Sequence, residues 1–131
     1  MKTVLLVDDD NNILLGIGVR LKSMGYIVYT AKDAVNAVSA VRKNEPDVVV
    51  LDISLPAGDG FLVADRVQNM VGSAATPIIF ITASDNPDLR ERAKQLGAVG
   101  FLKKPFDATA LADAIESALS PGDNWRPSIA V

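Results

Sequence analysis

The sequence contains no cysteine and no histidine among its 131 residues. Without cysteine the chain can form neither a disulfide framework nor a thiolate metal site. Without histidine it has no imidazole base and no imidazole metal ligand. Any active or binding site in this chain must therefore be built from carboxylates, lysine or hydroxyl groups.

Two further features are missing, an excess of positive charge and a long apolar run. Basic residues number 13 against 16 acidic ones, and a nucleic-acid-binding domain is expected to carry a basic face. No apolar run reaches the roughly 20 residues that a membrane helix requires. The opening MKTVLLV is too short, and too soon followed by aspartates, to be a signal peptide. We therefore expect a cytoplasmic protein without direct nucleic acid binding and without a membrane segment.

Short β-branched runs alternate along the chain with longer stretches of helical period. The predicted strands are 3–7, 26–30, 47–51, 77–81 and 99–103. This alternation predicts (βα)5, a doubly wound parallel sheet with helices on both faces. The periodic pattern ends near residue 119, and the last stretch contains two prolines and a glycine. We expect a single domain over residues 1–119 and a C-terminal tail or linker stub over 120–131.

Polar residues collect where the predicted strands end. Asp8 and Asp9 follow the first strand, and Asp52 follows the third. Thr82 follows the fourth strand, and Lys104 follows the fifth. In a sheet of order 2-1-3-4-5 the strand order switches between strands one and three, and ligands of such sheets bind at that switch. The acidic residues are therefore predicted to share one cleft with the lysine and the threonine nearby.

This set of groups favours phosphoryl chemistry. Carboxylates suit a hard cation, and Mg²⁺ in particular binds one or two carboxylates and bridges to phosphate oxygens. A lysine and a hydroxyl could hold an anion beside the metal, and phosphoryl transfer depends mostly on positioning and charge neutralisation. Asp52, at the centre, is the predicted nucleophile.

Simpler interpretations exist for several of these residues. Acidic residues at a helix start are stabilised by the helix dipole, and Asp10 with Asn11 is the best candidate for that role. That leaves Asp8 and Asp9 for the cleft. Phe101 is equally well explained by ordinary packing in the core.

Four motifs, together and in this order, resemble the receiver domains of two-component response regulators. They are LVDDD (6–10), VVLDISLPAGDG (49–60), FITAS (80–84) and GFLKKPFD (100–107). The resemblance covers residues 2–119 and is strongest to the chemotaxis-regulator type. It implies a flavodoxin-like sheet of order 2-1-3-4-5.

The resemblance also implies roles for the acidic residues. Asp52 matches the aspartate that accepts the phosphoryl group. Asp8 and Asp9 match the acid pair that holds Mg²⁺, with Asp52 as a shared ligand. The backbone carbonyl of Ser54 matches the remaining protein ligand.

Three further residues match the switching parts of the family. Thr82 matches the hydroxyl that moves toward the phosphoryl group. Lys104 matches the lysine that contacts a phosphoryl oxygen, and its bond to Pro105 is commonly cis in the family. Phe101 matches the aromatic side chain whose rotation accompanies the switch.

The implied function is a signalling switch and not a metabolic enzyme. The chain would accept a phosphoryl group from a histidine kinase or a phosphotransfer protein and hydrolyse it slowly. It would signal to a downstream output partner through the face made by the fourth helix, fifth strand and fifth helix. The same face is the candidate surface for a homodimer.

Three other functions compete with this interpretation. A Mg²⁺-dependent phosphohydrolase of the aspartyl type wants a second aspartate two residues after its nucleophile, where this chain has Ser54. A degenerate receiver that serves only as a binding module would lack an acid or the lysine, and neither is missing. A flavin-binding flavodoxin would need a Ser/Thr-rich phosphate loop after the first strand.

Overall fold

The structure, a computed structural model, describes residues 1–120, so the tail predicted over 120–131 falls almost wholly outside it. Five strands alternate with five helices in this part of the chain. The strands are β1 (Thr3–Val7), β2 (Ile27–Ala31), β3 (Val48–Asp52), β4 (Ile78–Thr82) and β5 (Gly100–Lys103). The helices are α1 (Asn11–Ser23), α2 (Ala34–Asn44), α3 (Gly60–Gln68), α4 (Pro87–Gln95) and α5 (Ala108–Leu119). Within these residues, no helix combines the length and the apolar character needed to cross a bilayer.

The five strands form one parallel sheet in the order β2-β1-β3-β4-β5. This order confirms the predicted doubly wound, flavodoxin-like fold. β1 and β3 are neighbours, and Val7 of β1 is in register with Leu51 of β3. The residues that follow these two in the chain are Asp8 and Asp52, so the register itself brings the two acids together.

Apolar side chains fill both faces of the sheet. Leu5, Leu51 and Phe80 belong to the layer covered by α2, α3 and α4. Leu6, Val50 and Ile79, one residue away in each strand, belong to the layer covered by α1 and α5. β1, β3 and β4 are buried on both faces, as their continuous apolar sequences predict, whereas β2 is a partly exposed edge. The rigid central strands therefore end at the predicted cleft.

Capping side chains and glycines mark several helix ends, and Asp10 takes the capping role predicted for it. The Asp10 side chain caps α1 and accepts a hydrogen bond from the Asn12 backbone N–H at 2.8 Å. Asp107 caps α5 in the same way. Gly25 and Gly97, each one residue past a helix C-cap, adopt φ values of 100° and 80° that favour glycine. Because Asp10 is used by the helix, only the other two aspartates of the DDD run remain for the cleft.

Gly60, the first residue of α3, lies against the end of β3. A Cβ atom at this position would overlap the backbone carbonyl oxygen of Asp52 and approach the Ile53 Cα to 2.9 Å. The backbone of α3 can therefore lie this close to the phosphoacceptor candidate only if residue 60 has no side chain.

We expect Gly60→Ala to lower the free energy of unfolding by about 1–3 kcal/mol, since the added methyl group forces the end of β3 and the start of α3 apart. Gly16→Ala is the matched control, because a Cβ at Gly16 meets nothing within 4 Å. In mid-helix that change should stabilise by about 0.5–1 kcal/mol. Urea unfolding measures both, and equal stabilities for the two variants would contradict the close approach at Gly60.

Candidate functional site

Three carboxylates meet at the carboxyl edge of the sheet. Asp8 follows β1, Asp52 ends β3, and Asp9 stands beside Asp8 at the mouth of the cleft. One oxygen from each of the three lies within 4.8 Å of the others. Asp8 and Asp52 are 0% and 3% exposed, whereas Asp9 is exposed. The structure thus brings together the acids that the sequence predicted, two of them buried.

Lys104 supplies the positive charge of this cluster. Its Nζ lies 2.8 Å from Asp8 Oδ2 and donates a hydrogen bond to Asp52 Oδ2 at 2.9 Å. The Lys104 backbone N–H donates to the Thr82 carbonyl oxygen at 2.7 Å, which fixes the start of the side chain beside β4. Only 18% of the side chain is exposed, so the ammonium group is held between the two buried acids.

Burial and pairing act in opposite directions on these groups. Burial raises the pKa of the Asp52 carboxyl, and the negative charge of Asp8 raises it further. The contacts with Lys104 and with the Ser54 backbone N–H lower the pKa of Asp52, but the net shift is upward. Burial alone would lower the pKa of the Lys104 ammonium, yet its contacts with Asp8 and Asp52 outweigh burial and raise that pKa. The lysine therefore stays charged, whereas the charged form of Asp52 is disfavoured by its burial.

Thr82 and Ser54 lie on either side of this cluster. Thr82 ends β4 and is 2% exposed, and its Oγ1 accepts a hydrogen bond from the Ser84 N–H at 3.0 Å. Ser54 is exposed at the mouth of the cleft, and its N–H donates to Asp52 Oδ1 at 3.0 Å. One Asp52 oxygen is thus held by Ser54 and the other by Lys104.

The aromatic candidate points inward. Phe101 is 6% exposed and belongs to the apolar layer under α4, and the Arg90 guanidinium lies 5.8 Å from its ring centroid. Lys103, which alternation directs to the other face, pairs at the surface with Asp85 at 2.8 Å. The ring therefore takes the core position, and the two adjacent lysines point to different partners.

The donor set fits a divalent cation. All three acids offer oxygen ligands, which Mg²⁺ prefers. Asp8 Oδ2 is buried and, among residues 1–120, accepts no hydrogen bond of good geometry. Three carboxylates and one ammonium leave two negative charges, which a divalent ion would balance. Asp8, Asp9 and Asp52 are therefore suited to hold Mg²⁺.

The sequence did not predict the apolar cleft beside this cluster. A cleft of about 540 Å³ opens next to Lys104, and its walls include Ile13 and Ile17 of α1 and Phe106 of the loop before α5. These walls come from opposite ends of the chain. No local pattern signals the cleft, because helical spacing alone does not say which apolar residues stay partly uncovered.

We expect Asp52→Asn to stabilise the metal-free protein. Because the pKa of Asp52 is raised on folding, protonation of this carboxyl favours the folded state. That contribution is fully present below the unfolded pKa and is lost as the pH rises through the folded pKa. The Asn variant should therefore have the higher Tm at pH 7, on the order of a few degrees for each kcal/mol.

This advantage should shrink as the pH falls, because the parent carboxyl then becomes neutral. Thermal unfolding in the presence of a chelator, between pH 4 and pH 8, measures it. Asp59→Asn is the control, since Asp59 is an exposed N-cap of α3 and asparagine caps equally well. A lower Tm for Asp52→Asn at pH 7 would contradict the inference that burial disfavours the charged form of Asp52.

Comparison with known proteins gives a consistent result. Residues 4–116 match the sequence family described as the response regulator receiver domain. The chain is 35% identical over 120 residues to the transcriptional regulatory protein PdtaR of Mycobacterium tuberculosis, covering 91% of this chain and 57% of that protein. It is 33% identical over 131 residues to the transcriptional regulatory protein GlrR of Escherichia coli, covering 96% of this chain and 29% of that protein. The chain thus spans less than two thirds of either relative.

Solved structures of similar length superpose on almost the whole chain. The chemotaxis response regulator CheY4 of Vibrio cholerae matches with a TM-score of 0.84 at 32% identity, covering 91% of this chain and 99% of that one. The non-phosphorylated HemR receiver domain of Leptospira biflexa matches with a TM-score of 0.84 at 32% identity, covering 96% and 100%. Both the fold and the arrangement of elements around the acid cluster are therefore shared with proteins of one kind.

Proposed function

This chain belongs to the response regulator receiver domains of two-component signalling, and we propose that it accepts a phosphoryl group on Asp52. One observation carries the proposal. Asp52 is a buried carboxylate at the centre of an oxygen cluster, with one oxygen bound by Lys104 and the other by the Ser54 N–H. A structural ion pair would need one acid for one lysine, whereas here the ammonium group contacts two buried acids and a third carboxylate, Asp9, lies beside them.

In the proposed reaction an ionised Asp52 oxygen attacks the phosphorus atom of a phosphohistidine. The new O–P bond forms as the N–P bond breaks, and the imidazole leaves with the bonding electron pair and takes up a proton. The contact with Lys104 favours the charged form of the carboxylate and orients it. The nucleophile is thereby positioned without a protein base, which suits a chain without histidine.

Asp8, Asp9 and Asp52 are the side chains that would hold Mg²⁺, with the backbone carbonyl of Ser54 as the further ligand implied by the family. When bound, the ion neutralises charge on the carboxylates and on the incoming phosphoryl oxygens. Asp8 and Asp52 are fixed by adjacent strands, while Asp9 is exposed and remains accessible to solvent. Two of the proposed ligands are thus held rigidly by the sheet, and the third can adjust its position.

After transfer, Lys104 and Thr82 are the groups that respond. The Lys104 ammonium exchanges a contact with Asp52 for one with a phosphoryl oxygen. The Thr82 hydroxyl turns toward another phosphoryl oxygen and releases the Ser84 N–H that it now accepts from. Phe101, whose ring lies inside the layer under α4, is the aromatic side chain that follows this change.

The partners follow from this role. A histidine kinase or a phosphotransfer protein in the cytoplasm supplies the phosphoryl group, and a downstream output partner reads the α4-β5-α5 face. The same face is the candidate surface for a two-fold homodimer. Residues 1–119 form the receiver unit. Self-phosphorylation and slow autodephosphorylation are the only covalent chemistry assigned to it.

Intact-mass measurement after incubation with Mg²⁺ and acetyl phosphate tests the proposal. The parent should gain the mass of one phosphoryl group, and the adduct should survive acid and be lost in base, as an acyl phosphate is. Asp52→Asn should abolish the gain, because an amide oxygen is a poor nucleophile. Asp10→Asn is the matched control, since Asp10 caps α1 outside the cluster and asparagine is an equally good cap.

Labelling that persists in Asp52→Asn would place the acceptor elsewhere. No labelling of the parent, with Mg²⁺ present in excess, would favour a binding module over a phosphoryl acceptor. Loss of labelling in Asp10→Asn as well would show that the acid run acts as one unit, against the division of roles described here.

A further inference from the structure

α4 is held to the rest of the chain by less apolar contact than its neighbour α3. Among its nine residues only Ala93 is fully buried, and Leu89 and the C-cap residue Leu96 are partly buried. Its neighbour α3, also nine residues long, buries five residues that include Phe61 and Val67. Because hydrophobic stabilisation scales with the apolar area removed from water, α4 must depend on other contacts for its position.

Two side chains of α3 supply such contacts. The Arg92 guanidinium carbon of α4 lies 4.2 Å from the ring centroid of Phe61, within the range of a cation–π interaction. The Gln68 side-chain amide donates a hydrogen bond to the Leu96 backbone carbonyl at 2.6 Å. Phe61 and Gln68 are seven residues apart on α3, and Arg92 and Leu96 are four apart, so each pair lies on one face of its helix. We call these two contacts the α3–α4 latch.

The ring under Arg92 is itself fixed. Phe61 is 3% exposed and packs against Phe80 of β4 with a centroid distance of 5.1 Å and a tilt of 54°. A guanidinium over an immobile ring loses little further freedom, and planar stacking on aromatic faces is a property of arginine that lysine lacks. The latch therefore joins α4 to a rigid part of the core.

The N-terminal end of α4 is connected to Thr82 by a ladder of three hydrogen bonds. Thr82 Oγ1 accepts from the Ser84 N–H at 3.0 Å, and Ser84 Oγ accepts from the Asn86 N–H at 3.1 Å. Asn86 Oδ1, the N-cap of α4, then accepts from the Asp88 N–H at 3.0 Å. A movement of the Thr82 hydroxyl away from the Ser84 N–H would break the first of these bonds, and the other two lead directly to the start of α4.

We propose that Arg92 and Gln68 are positioning residues whose latch restrains α4 against α3. The strength of the latch then sets how readily α4 separates when the ladder is disturbed at Thr82. The restraint is a property of the unmodified chain, whereas its connection to Asp52 rests on the proposed function. Variation at residues 68 and 92 would tune this switch without touching the acid cluster.

Hydrogen–deuterium exchange of the unmodified protein, without a phosphodonor, tests the latch. Arg92→Ala should raise exchange of the α4 amides about two- to fivefold, the effect expected for an exposed cation–π contact. The double variant Arg92→Ala, Gln68→Ala should raise it about tenfold, because a hydrogen bond is lost as well. Amides of β3 and α5 should be unchanged, which separates a local restraint from a general loss of stability.

Matched variants identify the physical cause. Glu91→Ala, an exposed neighbour on the same helix, should leave α4 exchange unchanged, and Arg92→Lys should restore part of the protection. In a Phe61→Leu background, Arg92→Ala should have no further effect, because the ring that it contacts is gone. If Phe61→Leu does not fold, exchange of the α4 amides in Arg92→Ala and in Gln68→Ala still tests whether these two residues restrain α4.

Unchanged α4 exchange in Arg92→Ala and Gln68→Ala would overturn the latch. Equal increases in β3 and α5 would also overturn it, since the two residues would then act on the whole domain. An equal effect of Arg92→Ala with and without the Phe61 ring would show that the guanidinium acts through another contact. None of these results depends on whether Asp52 accepts a phosphoryl group.

Discussion

The contact of one lysine with two buried aspartates is the constraint on which the rest of the structure depends. Asp8 and Asp52 end neighbouring strands, and two such charges repel by roughly 4 kcal/mol at about 4 Å near a protein surface. Lys104 lies within 2.9 Å of both carboxylates and offsets this repulsion in the metal-free chain. Its backbone is in turn bonded to the end of β4, so strand order, register and charge balance depend on one another.

Lys104 balances the charge of the acid cluster only in part. A lysine neutralises one charge of three, which leaves two negative charges that a divalent cation would balance. Elsewhere, the described part of the chain is stabilised by continuous apolar strands and by capped helices. α4 differs from its neighbour α3, because polar and cation–π contacts of about 1 kcal/mol each replace part of the apolar burial there. The rigid central strands thus hold the charged groups, and in our proposal the less firmly packed α4 is the part that moves.

The sequence predicted the fold because short β-branched runs and stretches of helical period alternate regularly along the chain. It predicted that one edge of the sheet would bring together Asp8, Asp9, Asp52, Thr82 and Lys104. This prediction needs only the rule that parallel strands end at the same edge, and it does not depend on how the helices pack. It could not decide the position of Phe101, since a core residue and a switching residue have the same chemistry. It also missed the Arg92 contact with Phe61 and the Ser84–Asn86 ladder, because both depend on side-chain directions between elements and not on any periodicity.

The central claim is that the three acids bind Mg²⁺ and that, in the metal-free chain, Lys104 supplies part of the positive charge that the ion would bring. Calorimetric titration with Mg²⁺ tests this claim most directly. The parent should bind one ion per chain. Asp9→Asn, which changes an exposed ligand and no folding contact, should weaken binding by at least about tenfold. Lys104→Ala should bind at least as tightly as the parent, because the lysine contacts the acids and not the metal. Equal affinities of the parent and Asp9→Asn, or a large loss in Lys104→Ala, would contradict the account.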